Sequence, residues 1–147
     1  MYKRILVATD GSKLSDLAVQ HALQLADLTG AEVVALKVVP RYPQTYFEGG
    51  VALAVEEVKR IEKQWQDEAL TIVNAVKAEG QKMAVKVKAT TVKSDLIAEA
   101  VIAAAKRHKV DLIVMASHGR RGLKRLLLGS ETQQVLTHSH IPVLVLR

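Results

Sequence analysis

Four short apolar runs in the chain end at or near polar or turn residues: ILVAT at 5–9, VVALKVV at 33–39, LIVMAS at 112–117 and PVLVLR at 142–147. A fifth segment, AVKVKATTV at 84–92, alternates more strongly. Their lengths and valine and isoleucine content predict strands, and near-continuous hydrophobicity predicts that both faces are covered. Helical patterns lie between them. Ser12 is placed to N-cap a helix that Gly30 ends, with Leu14, Leu17, Leu25 and Leu28 on its apolar side. Val51, Val55, Val58, Ile61, Trp65, Ala69, Ile72 and Val76 recur every three or four residues, predicting a long amphipathic helix stopped at Gly80. Ser94 opens a third helix running to about His108, and Ser130 a fourth, with Gln133 completing a capping-box pattern.

The predicted order is β-α-β-α-β-α-β-α-β over one domain, residues 1–147, with no stretch resembling a linker. Strands alternating with helical crossovers imply an open parallel sheet with helices on both faces, joined by right-handed connections. Covering both faces requires the strand order to reverse. Beside that reversal the loops after the strands part and leave a crevice for a ligand. The segments after the first and fourth strands, Ala8-Thr9-Asp10-Gly11-Ser12 and ASHGRRGLKRLLLGS at 116–130, are therefore the first places to look.

Composition narrows the classes. Apolar residues make up 49% and charged residues 24%, as in a soluble globular protein. No apolar run approaches the roughly 18 residues of a membrane span. The N-terminal apolar run is too short for a signal peptide and meets Asp10 where cleavage is expected. The expectation is a cytoplasmic protein that meets no membrane. The absence of cysteine excludes disulfides, thiol catalysis and cysteine-ligated metal. The net charge is +6, of which Arg120, Arg121, Lys124 and Arg125 supply four, so the excess reads as one local patch. No aromatic residue interleaves with that patch as a base-stacking surface requires, which argues against nucleic acid.

The chemistry of 116–130 favours an anion. A helix N-terminus presents unpaired N–H groups and the positive end of the macrodipole. Gly119 and Gly129 let backbone approach a ligand, Ser130 caps the helix or donates to a phosphate, and Arg120 and Arg121 screen polyphosphate charge. An ordinary basic loop before a capped helix explains the same residues. The Walker pattern G-x-x-x-x-G-K-[ST] is absent, and G-x-G-x-x-G is missing after the first strand. Asp10 there repels phosphate but accepts from a ribose hydroxyl; it also reads as half of an Asp-Gly turn.

The segments ILVATDGS, LKVVP, DLIVMASHG, LLLGS and HIPVLVLR carry an end-to-end resemblance to the universal stress proteins. The ATP-binding branch of that family is marked by G-x2-G-x9-G-[ST]. Gly119, Gly129 and Ser130 match it, while Ala116 stands at the first glycine. The resemblance implies a five-stranded parallel sheet in the order 3-2-1-4-5, the adenine-nucleotide α-hydrolase-like fold, with the crevice between strands 1 and 4. It further implies that Ala8, Thr9 and Asp10 line the adenosine end, with Asp10 on the ribose and the Val38 backbone against adenine. Met115, Ala116, Gly119, Gly129 and Ser130 then surround the ribose and phosphates, and His118, Arg120 and Glu131 join the candidate nucleotide-binding set by their own places beside the glycine loop and the last helix. If position 116 requires positive φ, its alanine costs about 1 kcal/mol; otherwise the methyl mainly crowds the pocket. Glu131, at the first turn of the last helix, suits an empty N-terminus and partly opposes a phosphate.

The functional expectation is an ATP-binding stress regulator or sensor, with magnesium arriving on phosphate oxygens rather than on protein side chains. No nucleophile, general base or water-positioning pair stands out. Slow ATP hydrolysis or autophosphorylation, and a protein-binding dimer with a vestigial or different nucleotide site, stay open as alternatives, and the client protein is unspecified. His138 and His140 read as residues of a helix end rather than a metal pair. Tyr42, Tyr46 and Phe47 share the 41–50 loop, as a flap or as packing, and Trp65 reads as packing. In the implied order the last strand is an edge, yet its VLVL is apolar on both faces. Pairing of residues 142–146 with a second copy predicts a homodimer, which the resemblance also implies.

Overall fold

A computed structural model describes residues 1–43, 55–119 and 127–147. Tyr46, Phe47, Gly49, Gly50 and Val51, and the basic residues Arg120, Arg121, Lys124 and Arg125, lie outside the described residues. The elements are β1 (Arg4–Ala8), α1 (Lys13–Thr29), β2 (Glu32–Val39), α2 (Val55–Lys82), β3 (Val87–Lys93), α3 (Ile97–Arg107), β4 (Leu112–Ala116), α4 (Ser130–His138) and β5 (Val143–Leu146). All four strand pairings are parallel, in the order β3-β2-β1-β4-β5. The direction of winding reverses at β1, so β1 and β4 flank the switch point.

Alternation along the strands builds two cores. Ile5, Val7, Val33, Ala35 and Val114 face α1 and α2, while Leu6, Val34, Leu36, Ile113 and Met115 face α3 and α4. The central strands are covered on both sides, which is why β1 and β4 read as unbroken apolar runs.

Several local expectations give way to packing. The face that α1 buries is Ser15, Ala18, Val19, Ala22, Leu23 and Ala26, while Leu17 and Leu28 are exposed. Small side chains let the helix backbone sit close to the sheet, so the alanine stripe with Leu23 takes the interface ahead of Leu17 and Leu28, while Leu25 packs at its margin. Ser12 caps α1 by accepting from the Ser15 amide, and Gly30 ends it at φ 73°. Gly80, by contrast, does not stop α2, which continues to Lys82. A Cβ at position 80 would stand 2.3 Å from Val87 Cγ2 and 3.1 Å from the Val85 carbonyl oxygen. The glycine is there for close passage of the helix against the chain entering β3.

Helix α3 begins at Ile97, later than Ser94 predicts. The Ser94 hydroxyl accepts from the Leu96 amide, making a local turn instead of a cap. The capping box at α4 does not form either. Gly129 occupies the cap position without a side-chain bond, Ser130 is the first helical residue, and the Gln133 amide donates to the Gly129 carbonyl.

Candidate nucleotide cleft

The chain leaves β1 through a turn built from its own side chains. Thr9 is buried; its amide donates to the Leu36 carbonyl, and its hydroxyl lies 3.1 Å from the Ser15 hydroxyl and accepts from the Gly11 amide. The Ser12 amide donates to Asp10 Oδ1 at 2.9 Å, closing an Asx turn that fixes the carboxylate at the tip of β1.

Across the switch point, the segments around α4 are fastened to the end of β4. The Gly129 amide donates to the Ser117 carbonyl at 2.7 Å. Thr132, also buried, donates its hydroxyl to the Ala116 carbonyl at 2.9 Å, and the Ser117 amide donates to the Leu146 carbonyl. These bonds hold the N-terminus of α4 at the end of β4, on the cleft that Asp10 also lines. The Ser130, Glu131 and Thr132 amides belong to a first turn, where no intrahelical acceptor exists.

Two glycines make this approach possible. A Cβ at Gly119 would lie 2.8 Å from Asp10 Oδ2, and one at Gly129 would lie 3.2 Å from both the Ser117 carbonyl and His118 Cα. Gly119 therefore keeps the β1 and β4 loops in register across the crevice. Gly129 keeps the chain entering α4 against the chain leaving β4.

The result is a cleft of about 1230 Å³ at the carboxyl ends of the strands. Of the residues singled out in the sequence, Asp10, Val38, His118, Gly119, Gly129, Ser130 and Glu131 line it. Ala8, Thr9, Met115 and Ala116 lie behind that lining, in or beside β1 and β4, and Arg120 is outside the described residues. Ala116 is the buried last residue of β4, aligned with Leu146, and its φ is not positive. The backbone-strain cost therefore does not arise.

The lining also includes residues that sequence patterning passed over. Lys37 lies within the apolar run of β2, and its ammonium donates to the Val38 carbonyl. Trp65 is half-buried on the cleft wall, stacked on Tyr42 with centroids 6.1 Å apart and planes at 24°. It is therefore more than a core-packing residue. The aromatic loop after β2 was the only available signal, and Tyr42 is its described member. Leu127 and Leu128 complete the floor before Gly129.

His118 Nδ1 lies 3.1 Å from the Ser117 hydroxyl. Among the described residues, no three His, Asp or Glu side chains converge as a metal site. His138 ends α4, where its Nδ1–H donates to the Gln134 carbonyl. Among the described residues, no helix is long and apolar enough to cross a membrane.

The profile of the Universal stress protein family matches residues 1–147. Universal stress protein MJ0531 of Methanocaldococcus jannaschii is 35% identical over 149 residues, covering 100% of this chain and 83% of that protein. The solved structure of MJ0577 from the same organism superposes with a TM-score of 0.82 at 33% identity, covering 99% of this chain and 96% of that one. Two further solved structures share the fold. One is a universal stress protein in complex with cAMP, at TM-score 0.72 and 23% identity, covering 99% of this chain and 97% of that one. The other is from Archaeoglobus fulgidus in complex with dAMP, at TM-score 0.66 and 17% identity, covering 99% and 98%. The chain belongs to the universal stress protein family.

Proposed function

We propose that the cleft binds an adenine nucleotide, with ATP the leading ligand, and that the protein acts in the cytoplasm as a nucleotide-dependent stress regulator or sensor. The observation that carries this reading is that Asp10 and the α4 N-terminus line one cleft, with Gly119 close against the Asp10 carboxylate. A carboxylate is a good acceptor for ribose hydroxyls and a poor neighbour for phosphate. Amides at a helix N-terminus have the opposite preference. A nucleoside phosphate lying from β1 towards α4 would satisfy both. The Val38 backbone stands on the cleft for the polar edge of a base, half-buried Trp65 offers apolar wall, and the cAMP and dAMP complexes of family members support adenine. Ala8, Thr9, Met115 and Ala116 support the site from behind.

Magnesium, on this reading, comes with the phosphates. His118 touches Ser117 and has no carboxylate partner among the described residues, which favours binding over rapid hydrolysis. Glu131 on the cleft favours a second reading, a protein-binding dimer whose crevice holds no polyphosphate. Denaturing the purified protein and identifying released nucleotide by mass spectrometry separates the two. Stoichiometric ATP, or another adenine nucleotide, supports the first. Nucleotide-free protein that also fails to take up added ATP contradicts it. A homodimer formed through β5 completes the proposal: this edge strand carries half-exposed Val143, Val145 and Leu146 and exposed Leu144.

A further inference from the structure

The opposite pole of the sheet gathers charge that the sequence disperses. Arg4 at the start of β1, Lys86 and Lys88 around the start of β3, Arg107 at the end of α3 and Lys109 just after it line one concavity of about 350 Å³. The positive excess is thus not confined to the loop after β4, contrary to the sequence reading.

Among the described residues, only one carboxylate, Glu32, lines this concavity, and it serves two of the cations. Lys86 Nζ lies 3.1 Å and Arg4 Nε 3.5 Å from its oxygens. Both hold its carboxyl below the usual range, Lys86 most strongly. The neighbouring Asp111 is engaged with backbone, accepting from the Lys3 and Arg4 amides at 2.8 and 3.1 Å. Among the described residues, Lys88, Arg107 and Lys109 form no ion pair.

The His108 ring registers their convergence. Burial lowers its pKa first, and the charges of Lys88, Arg107 and Arg4 lower it further. Arg4 is braced by donating to the His108 carbonyl at 3.0 Å. Lys109 stands at φ 54°, a left-handed conformation that glycine would adopt at lower cost. A lysine there keeps a fifth cation on the rim.

We propose that this pole is a second anion site, separate from the nucleotide cleft, that takes a small, multiply charged phosphate anion. Converging cations in a concave, low-dielectric wall focus the field and favour a ligand carrying several negative charges. The two guanidinium groups supply planar forks for phosphate oxygens, and the ammonium groups supply compact point charges. The modest volume favours a compact oligophosphate over an extended polymer. The inference does not rest on the nucleotide reading, since it uses none of the cleft residues.

The test is titration of the full chain with tripolyphosphate, followed by calorimetry and by NMR of the His108 ring. The expected result is binding that weakens with salt and is at least tenfold weaker in the Lys88→Ala, Arg107→Ala double variant. The His108 pKa should rise when tripolyphosphate binds, because the cations that depress it become neutralised. Both substituted side chains are exposed, so the double variant keeps the fold. Binding that persists in the double variant and leaves His108 unmoved belongs to another surface and overturns the proposal. Binding of duplex DNA or of anionic vesicles without tripolyphosphate binding also overturns it.

Discussion

Replacing Gly119 with alanine tests the link between the two sides of the proposed nucleotide cleft. The new Cβ would stand 2.8 Å from Asp10 Oδ2, whereas ordinary contact begins near 3.4 Å, so the carboxylate must retreat by about 0.6 Å. Gly119 itself is exposed and its φ is not in the left-handed range, so the substitution strains no backbone and leaves the core intact. The carboxylate cannot retreat without cost, because Oδ1 is held by the Ser12 amide at 2.9 Å in the turn that begins α1. A hydrogen bond to a charged group contributes about 1.5–3 kcal/mol. Losing roughly half of the ribose contact then weakens ATP by about tenfold. Calorimetric titration should show that weakening, while the urea midpoint moves by less than about 1 kcal/mol equivalent. The cause is checked in an Asp10→Ala background, where Gly119→Ala should add nothing to the loss. Affinity within twofold of the parent, or full additivity with Asp10→Ala, would refute the reasoning.

Thr132→Val removes the hydroxyl that ties α4 to the Ala116 carbonyl and leaves a buried acceptor unsatisfied. It should cost about 1–3 kcal/mol in urea unfolding and also weaken ATP. The lowered pKa of His108 means that the unfolded chain binds its proton at higher pH than the folded one, so stability falls as pH drops below about 7 towards the folded value. His108→Gln should flatten unfolding free energy across that window, a change separable from any Glu32 effect, which lies below pH 4.5. Leu144→Arg, on the exposed face of β5, should convert a dimer to a monomer by light scattering at micromolar concentration, with the fold unchanged by circular dichroism.

The strands were legible because burial on both faces leaves a nearly unbroken apolar record, as in ILVAT and LIVMAS. Helix limits were less so. Gly80 near an expected helix end looks the same in a sequence whether it stops the helix or admits a neighbouring strand, and the close approach of Val87 and the Val85 carbonyl distinguishes the two. Likewise, a leucine stripe and an alanine stripe on α1 are adjacent faces of one helix. Which one packs depends on how close the sheet comes. Within the cleft, Asp10, Gly119, Gly129 and Ser130 were marked by their loops and by family likeness. Lys37 and Trp65 sit inside regular apolar patterns that conceal a solvent-facing side. The basic pole was illegible because Arg4, Lys86 and Arg107 are brought together by parallel strand starts far apart in the chain.

The central claim, that the cleft holds a nucleoside phosphate with its ribose at Asp10 and its phosphates at Gly129, Ser130 and the α4 N-terminus, is tested most directly by calorimetry with ATP. The titration is run with and without magnesium, on the folded nucleotide-free protein and on Gly119→Asp. The account predicts micromolar binding that is lost in Gly119→Asp, whose carboxylate would enter the space facing Asp10. Absence of heat with the parent protein, or equal affinity in the variant, would contradict it.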